Sequence, residues 1–462
     1  MSEKVTKGVQ LLLGNPRGAI IRLSIPMMVG MLVQTIYNLA DGIWVAGLGA
    51  EGLAAIGLFF PVFMGIISLA SGLGIGSSSA ISRRIGAKDK KGADNVAVHS
   101  LLLTLILGFL ITVTMFPSMD RVFAWMGATG EVGRLAVGYS RILLVAAIVM
   151  VFNNVANGML RGEGDTRRAM YALVLGSGLN IVLDPFFIYT LGFGVVGAAY
   201  ATVLSMVLTS VFLGYWLFIK RDTYVRITLK DFSPNWKITL DILRVGVPAS
   251  LSQLTMSFAM FFLNAIILFS SNEYGVAIFT SAWRITMVGV VPILGMAAAT
   301  TSVTGAAYGA KDVEKLKTAY LYAIKLSLII EVSVVLFVEL FTPQVAYLFT
   351  YSKASAGILN GLITSLRILV IFLPFTPFGM MTSAMFQGVG FGGRALVVSF
   401  LRTIVMQVGF AYFMAFYTNM GLVGVWVGMV LGNVIASFLG FLWGTVTVKR
   451  IREGFNLSAS LV

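Results

Sequence analysis

Apolar residues run along this chain in long blocks, cut by short polar intervals that carry most of the charge. Twelve blocks are readable, at about 18–46, 53–82, 93–117, 134–158, 168–190, 195–219, 238–269, 276–306, 316–341, 356–382, 393–416 and 421–447. Each is long enough to cross a hydrocarbon core of about 30 Å as a helix. None shows the alternation of a barrel strand, so helices remain as the way to satisfy the backbone in lipid. The pattern predicts an all-α integral membrane protein with twelve transmembrane helices.

The blocks form two sets of six. Ile25-Pro26 recurs as Val247-Pro248, 222 residues later. Gly86-Ala87-Lys88-Asp89 recurs as Gly309-Ala310-Lys311-Asp312 after 223, and Gly162-x-Gly164 with Arg168-Ala169 as Gly388-x-Gly390 with Arg394-Ala395 after 226. Gly194-Val195-Val196-Gly197 recurs as Gly421-Leu422-Val423-Gly424 after 227. A nearly constant offset over four ordered landmarks indicates duplication. Six spans per copy give both copies one orientation, so the two six-helix lobes are related by a pseudo-twofold axis along the membrane normal. Parallel repeats of this kind place a transport pathway between lobes. The expected organisation is an N-terminal cytoplasmic lead (1–17), a first lobe (18–219), a cytoplasmic linker (220–237), a second lobe (238–448) and a tail (449–462).

Length alone would suggest about three soluble domains. Composition overrules that reading: 58% of the 462 residues are hydrophobic and only 11% charged, where soluble domains run near 25% charged. Mean hydropathy is +0.92. The net charge of +14 raises nucleic acid as a partner, but the placement of the charges explains it otherwise. Of 33 Lys and Arg, 25 fall in alternate intervals, while the intervals between hold only Arg121, Arg134 and Lys353. That is the positive-inside distribution. It predicts both termini in the cytoplasm and needs no nucleic acid. Absence of cysteine excludes disulfides and thiol chemistry. The single histidine, His99, beside a charged turn, is expected to be interfacial rather than a ligand or base. Lys4, Lys7, Arg17 and Arg22 precede an apolar run far longer than a signal peptide's, so the first span is expected to persist.

Candidate chemistry follows from charges inside spans. Asp41 is the ionisable group of the first span past Arg22, and a carboxylate at a span's centre costs roughly 2.5–3.5 kcal/mol on insertion scales. At 1.5 Å per residue, Asp41 lies about 9 Å in from Gly47, and Asp184 lies about 9 Å in from Thr190. The repeat replaces Asp41 by Leu263 and Asp184 by Ala411. Asn180 sits one turn from Asp184, and Thr202 and Tyr139 fall at a similar depth. These oxygens suit a proton or a hard cation such as Na⁺, held by Asp41, Asp184, Asn180 and Thr202. Structural alternatives are a helix-end cap for Asp41 and backbone satisfaction near Pro185 for Asp184.

Gln34, Tyr37, Asn153, Asn154 and Asn157, with Met27, Met64 and Met206, are candidate lining for a substrate cavity in the first lobe. Asn157 falls well below the level of Asp41. Pro26 interrupts the backbone ladder of the first span and invites a bend coupled to the charge of Asp41. In the second lobe Arg284, Glu331 and Arg367, with Lys325 nearer the cytoplasm, are expected to pair with one another, the alternative being a role in gating or coupling. The glycine-rich pieces Gly72-x-Gly74-x-Gly76 and Gly162-x-Gly164 lack the Lys-Ser/Thr of a phosphate loop, so ATP is not the driving force. No Asp-rich metal cluster of a prenyl transferase occurs, and no enzyme is expected.

The stretch Leu39-Ala40-Asp41-Gly42-Ile43-Trp44-Val45-Ala46-Gly47-Leu48-Gly49, with Leu53-Ala54-Ala55-Ile56-Gly57, resembles the first-span motif of the multidrug and toxic compound extrusion (MATE) family. Leu160-Arg161-Gly162-Glu163-Gly164-Asp165-Thr166-Arg167 is similar to that family's loop after span four. Asn180-Ile181-Val182-Leu183-Asp184-Pro185 with Gly194-Val195-Val196-Gly197-Ala198-Ala199 resembles its span five to six signature. The carboxylate pattern resembles the DinF-like branch, in an archaeal form. The resemblance implies a monomer in the cell membrane, two V-arranged lobes, and export of cationic or amphipathic organic compounds by antiport with H⁺ or Na⁺. It carries the ion site onto Asp41, Asp184, Asn180, Thr202 and Tyr139, with no cofactor beyond the ion. A lipid or lipid-linked oligosaccharide flippase of the same superfamily is the alternative; its cavity would be lined by cations.

Overall fold

The computed structural model describes residues 5–220, 222–228, 232–271, 273–350, 356–418 and 420–460. Lys4, Arg221, Lys230 and Lys353, which belong to the interval cations, lie outside the described residues. In chain order the α-helices are α1 (Lys7–Leu13), α2 (Pro16–Ala46), α3 (Gly49–Gly86), α4 (Lys90–Met115), α5 (Met119–Trp125), α6 (Gly130–Val145), α7 (Ala147–Gly162), α8 (Thr166–Pro185) and α9 (Gly194–Gly214). The second half holds α10 (Trp236–Ser270), α11 (Glu273–Gly309), α12 (Val313–Thr350), α13 (Leu359–Leu369), α14 (Thr376–Gly388), α15 (Gly392–Phe400), α16 (Gly409–Tyr417) and α17 (Gly421–Ser460). Eleven stretches are long and apolar enough to cross a membrane, and the bent pair α6–α7 makes the twelfth. Twelve spans in two lobes agree with the hydrophobic pattern.

Two refinements come from backbone geometry. The fourth span breaks by 51° between α6 and α7. There is no proline at the break; Ala146 donates to Leu143 O at 3.1 Å, a tight turn in place of the helical bond four residues back. A break of this kind leaves no mark on hydropathy. The fifth span passes Pro185 and continues as a π turn, Phe186–Thr190. A proline removes one amide donor from the ladder, and π turns are a common way of absorbing such a defect.

The repeat is visible in the backbone. Lys88 and Lys311, 223 residues apart, have φ of 58° and 57° and are the non-glycine positive-φ residues among those described. The aspartates that follow do the same work. Asp89 accepts the Gly92 amide at 2.8 Å, and Asp312 accepts the Lys315 amide at 2.9 Å, each opening the next helix. Gly164 and Gly390 match at φ 80° and 88°, as do Gly194 and Gly421 at 56° and 54°.

Lobe contacts gather in the half of the membrane nearer the chain's cation-rich turns. Ser79 Oγ donates to Gln387 O at 2.5 Å, Ser78 and Ser302 hydroxyls meet at 3.4 Å, and Arg83 pairs with Asp241 at 2.9 Å. The linker, expected as a polar interval, is docked rather than free. Thr223, Tyr224 and Val225 are buried, and the Val225 amide donates to Glu163 Oε2 at 3.0 Å. His99, buried, accepts the Asn235 amide through Nε2 at 3.0 Å, while its Nδ1 lies 2.8 Å from Asn95 O. Its hydrogen-bond partners are main chain and its ring packs against Phe232 of the linker at 5.1 Å, so its place is that of a linker clasp.

Candidate functional site

Asp184 is fully buried near the end of α8, and its carboxyl lies within electrostatic reach of that of Asp41 from α2. The two helices bring together residues 143 positions apart because each lies an equal depth from its loop. Tyr37, one turn before Asp41, and Tyr139 of α6 lie within electrostatic reach of both carboxyls. The Tyr139 ring meets Phe59 edge-on at 5.8 Å, which fixes its plane.

Beside this pair, buried Asn180 donates through Nδ2 to Thr202 Oγ1 and to Ser205 Oγ, both at 3.3 Å. Thr202 and Ser205 are themselves committed as donors, to Ala198 O at 2.9 Å and Thr202 O at 2.8 Å. The amide orientation that satisfies these contacts leaves Asn180 Oδ1 without a hydrogen-bond partner among the described residues, as are both Asp184 oxygens. Buried acceptors normally find a donor. Here three oxygens are left over in one place, a donor set for a proton or a hard cation and not for a soft metal. Ser205, one turn after Thr202, belongs to this group and was not among the expected residues; the i+3 spacing was the signal available.

Between the lobes lies a cavity of about 630 Å³. Gln34, Tyr37, Met27 and Met206 line it, as do Asn153, Asn154 and Asn157. Asn180 and Thr202 show a face to it as well, so the carboxyl pair sits directly behind the first-lobe wall. Met64 does not line the cavity; it is half-buried, and its carbonyl takes the Ser68 hydroxyl at 2.7 Å. Asn157 lines the lower part, where its amide nitrogen donates to Ala169 O at 2.9 Å, away from the carboxyls. Asn153 contacts Met206 O at 3.0 Å and takes the Ser210 hydroxyl at 2.6 Å, bracing α7 against α9.

Arg161 of α7 and Arg402, just beyond α15, also line the cavity, and among the described residues no carboxylate does. Sequence reasoning placed the carboxylates in the first lobe without separating wall from interior. The cavity is therefore more cationic in its lining than the first lobe's composition suggested. Arg161 Nε is buried and has no partner among the described residues.

The expected pairing of second-lobe charges does not form. Glu331 of α12 is fully buried with neither oxygen partnered among the described residues, while Arg284, Arg367 and Lys325 are exposed. Helix rotation sends them out of the fold, so span depth alone was misleading. Pro26 is buried inside α2, which runs through it without a break.

The MatE family model matches residues 26–186 and 248–413, one stretch in each lobe. The multidrug export protein MepA of Staphylococcus aureus (strain MRSA252) is 26% identical over 84% of this chain and 85% of its own length. A multidrug resistance MATE family transporter of the MOP superfamily, solved in an outward-facing conformation, is 68% identical over 98% of this chain and all of its own, with a TM-score of 0.96. A MOP superfamily transporter from Pyrococcus furiosus Vc1, described as having a binding pocket of reversed polarity, is 68% identical over 97% of this chain and all of its own, with a TM-score of 0.94. These relatives are membrane transporters and not enzymes. With twelve spans in two lobes, a cavity between them and both halves matched, the chain belongs to the MatE family of multidrug resistance transporters.

Proposed function

We propose that the protein is a plasma-membrane antiporter that exports cationic or amphipathic organic compounds in exchange for H⁺ or Na⁺, alternating between states open to either side. The observation that carries this reading is the facing pair Asp41 and Asp184 with three unpartnered oxygens behind the cavity wall. Two facing carboxyls call for a proton or cation between them. Neutralising the pair would free α2 to move against α8, with Pro26 as the weak point of its ladder. Because Tyr37 and Asn180 touch both ion site and cavity, a change at one is felt at the other. Lobes closed on the cation-rich side fit the outward-facing relative, and the charge distribution supports the reading of that side as cytoplasmic.

The test is substrate efflux from proteoliposomes under imposed pH or Na⁺ gradients, wild type beside Asp41→Asn and Asp184→Asn. Efflux under one gradient, lost in both variants with melting temperature kept, is the expected result and names the ion. Efflux unchanged in both variants overturns the coupling site.

A second reading rests on Arg161 and Arg402 in a lining free of carboxylates, which suits the head of an anionic amphiphile, the substrate of a flippase. Anionic and cationic fluorescent amphiphiles compared in the same vesicles separate the two. Preference for the anionic probe, lost in Arg402→Gln, would favour this reading.

A further inference from the structure

Outside the central cavity, the cation-rich end of the molecule carries a second recess, of about 340 Å³, between α2 of the first lobe and α12 of the second. Its walls are Arg17, Lys317 and Lys325, with Glu314, Leu321 and Tyr322. The one carboxylate there is already engaged, because Glu314 pairs with Arg452 of α17. Arg17, Lys317 and Lys325 are exposed, and none pairs with a carboxylate among the described residues. Arg17 instead rests its guanidinium on the Tyr322 ring at 5.9 Å, which holds it toward the recess. Three uncompensated cations thus surround a space large enough for a phosphate group.

Placement points to what carries the phosphate. Lys317, Leu321 and Lys325 repeat every fourth residue, so they form one stripe on α12. Lys325 lies about 12 Å further along the helix than Lys317, deep enough that its ammonium must reach back toward the interface. Beyond it the exposed face of α12 is apolar, with Ile329, Val332 and Leu336. A headgroup in the recess would leave its acyl chains lying along this face. Basic recesses between spans at the cytoplasmic leaflet are suited to anionic lipid headgroups.

We propose that this recess binds the phosphate of an anionic phospholipid and that the bound lipid clamps the two lobes together at the cation-rich end. The clamp follows from ownership: Arg17 comes from one lobe, Lys317 and Lys325 from the other. The lipid thereby favours the arrangement closed at this end, independently of which ion drives transport.

The test is native mass spectrometry of the full-length protein after exchange into phosphatidylglycerol, phosphatidylcholine, or lipid-free detergent with excess inorganic phosphate. Phosphatidylglycerol is expected to remain bound and phosphatidylcholine to be lost. The double variant Lys317→Gln/Lys325→Gln should retain phosphatidylglycerol about tenfold less well. Lys317→Arg/Lys325→Arg should restore binding, and Lys449→Gln, an exposed cation elsewhere, should leave it intact. Unchanged melting in lipid-free detergent guards against a folding defect. Retention in the double variant equal to wild type overturns the proposal, as does displacement of the lipid by inorganic phosphate, which would make this a free-anion site.

Discussion

Gly86 and Gly309 occupy equivalent places in the two lobes and close on each other's helices. A Cβ on Gly86 would lie 1.9 Å from Ala306 O, and one on Gly309 would lie 1.9 Å from Arg83 O. Arg83 and Ala306 are themselves related by the offset of 223, so the contact is symmetric about the pseudo-twofold axis. Only glycine permits main chain to approach this closely.

Gly86→Val should therefore wedge the lobes apart at the cation-rich end, at a cost of about 2–3 kcal/mol to the closed arrangement. Because the chain has no cysteine, a single Gln34→Cys in the cavity lining reports access directly. Thiol labelling from the side remote from the termini should fall about tenfold in the Gly86→Val background, and labelling from the other side should rise. Labelling unchanged on both sides would show that this contact does not hold the seam.

Asn180 supplies the ion site with one leftover oxygen and spends its two N–H groups on Thr202 and Ser205. Asn180→Leu keeps the volume and removes all three interactions. Losing the buried contacts should cost about 1–3 kcal/mol in stability. Gradient-driven efflux should fall by about tenfold or more, since even the outer contacts of an ion site are worth that much. Efflux measured at matched melting temperature, by lowering the assay temperature for the variant, separates the two effects. Full activity there would remove Asn180 from the site.

How much of this was legible in the chain depends on what kind of information position carries. Spans, repeat and the equal depth of Asp41 and Asp184 were readable because hydropathy and rise per residue are one-dimensional quantities. Azimuth is not. Arg284 and Arg367 turn outward while Glu331 turns inward, and Met64 turns away from the cavity, none of which a depth count contains. The break at Ala146 was hidden because no proline or glycine marks it. Arg402 was visible as a cation within a span, yet only the packing of the π segment after α15, Leu401–Val408, against α17 and α10 puts it at the cavity.

Glu163 lies in the turn between α7 and α8, buried beneath the linker, where it accepts the Val225 amide at 3.0 Å. Burial pushes its carboxyl up from 4.5 to about 8, against the opposing pull of that amide. A carboxyl raised on folding lends stability that is complete below its unfolded value and disappears as pH rises through the folded one. Between pH 5 and 9 the wild-type stability should therefore decline by an amount on the order of a few kcal/mol at this site, read as a falling melting temperature. Glu163→Gln mimics the protonated form and should flatten that decline, with the two curves meeting at low pH. Parallel curves across the range would assign the pH dependence to other groups.

Glu331 presents the opposite case, a carboxyl buried in α12 whose two oxygens have no partner among the described residues. Burying an acid without a partner costs stability, and a neutral group of the same shape lowers that cost. Glu331→Gln should therefore raise the melting temperature in detergent by about 2 °C. Glu331→Lys, which keeps a charge but lengthens the side chain in the same closed space, should lower it sharply. Efflux decides what the residue is for. A second-lobe carboxyl that took part in ion coupling would make Glu331→Gln inactive despite its stability, and the Asp41–Asp184 pair would then be one of two stations. The proposed single site in the first lobe requires instead that Glu331→Gln transport at the wild-type rate under the same gradient.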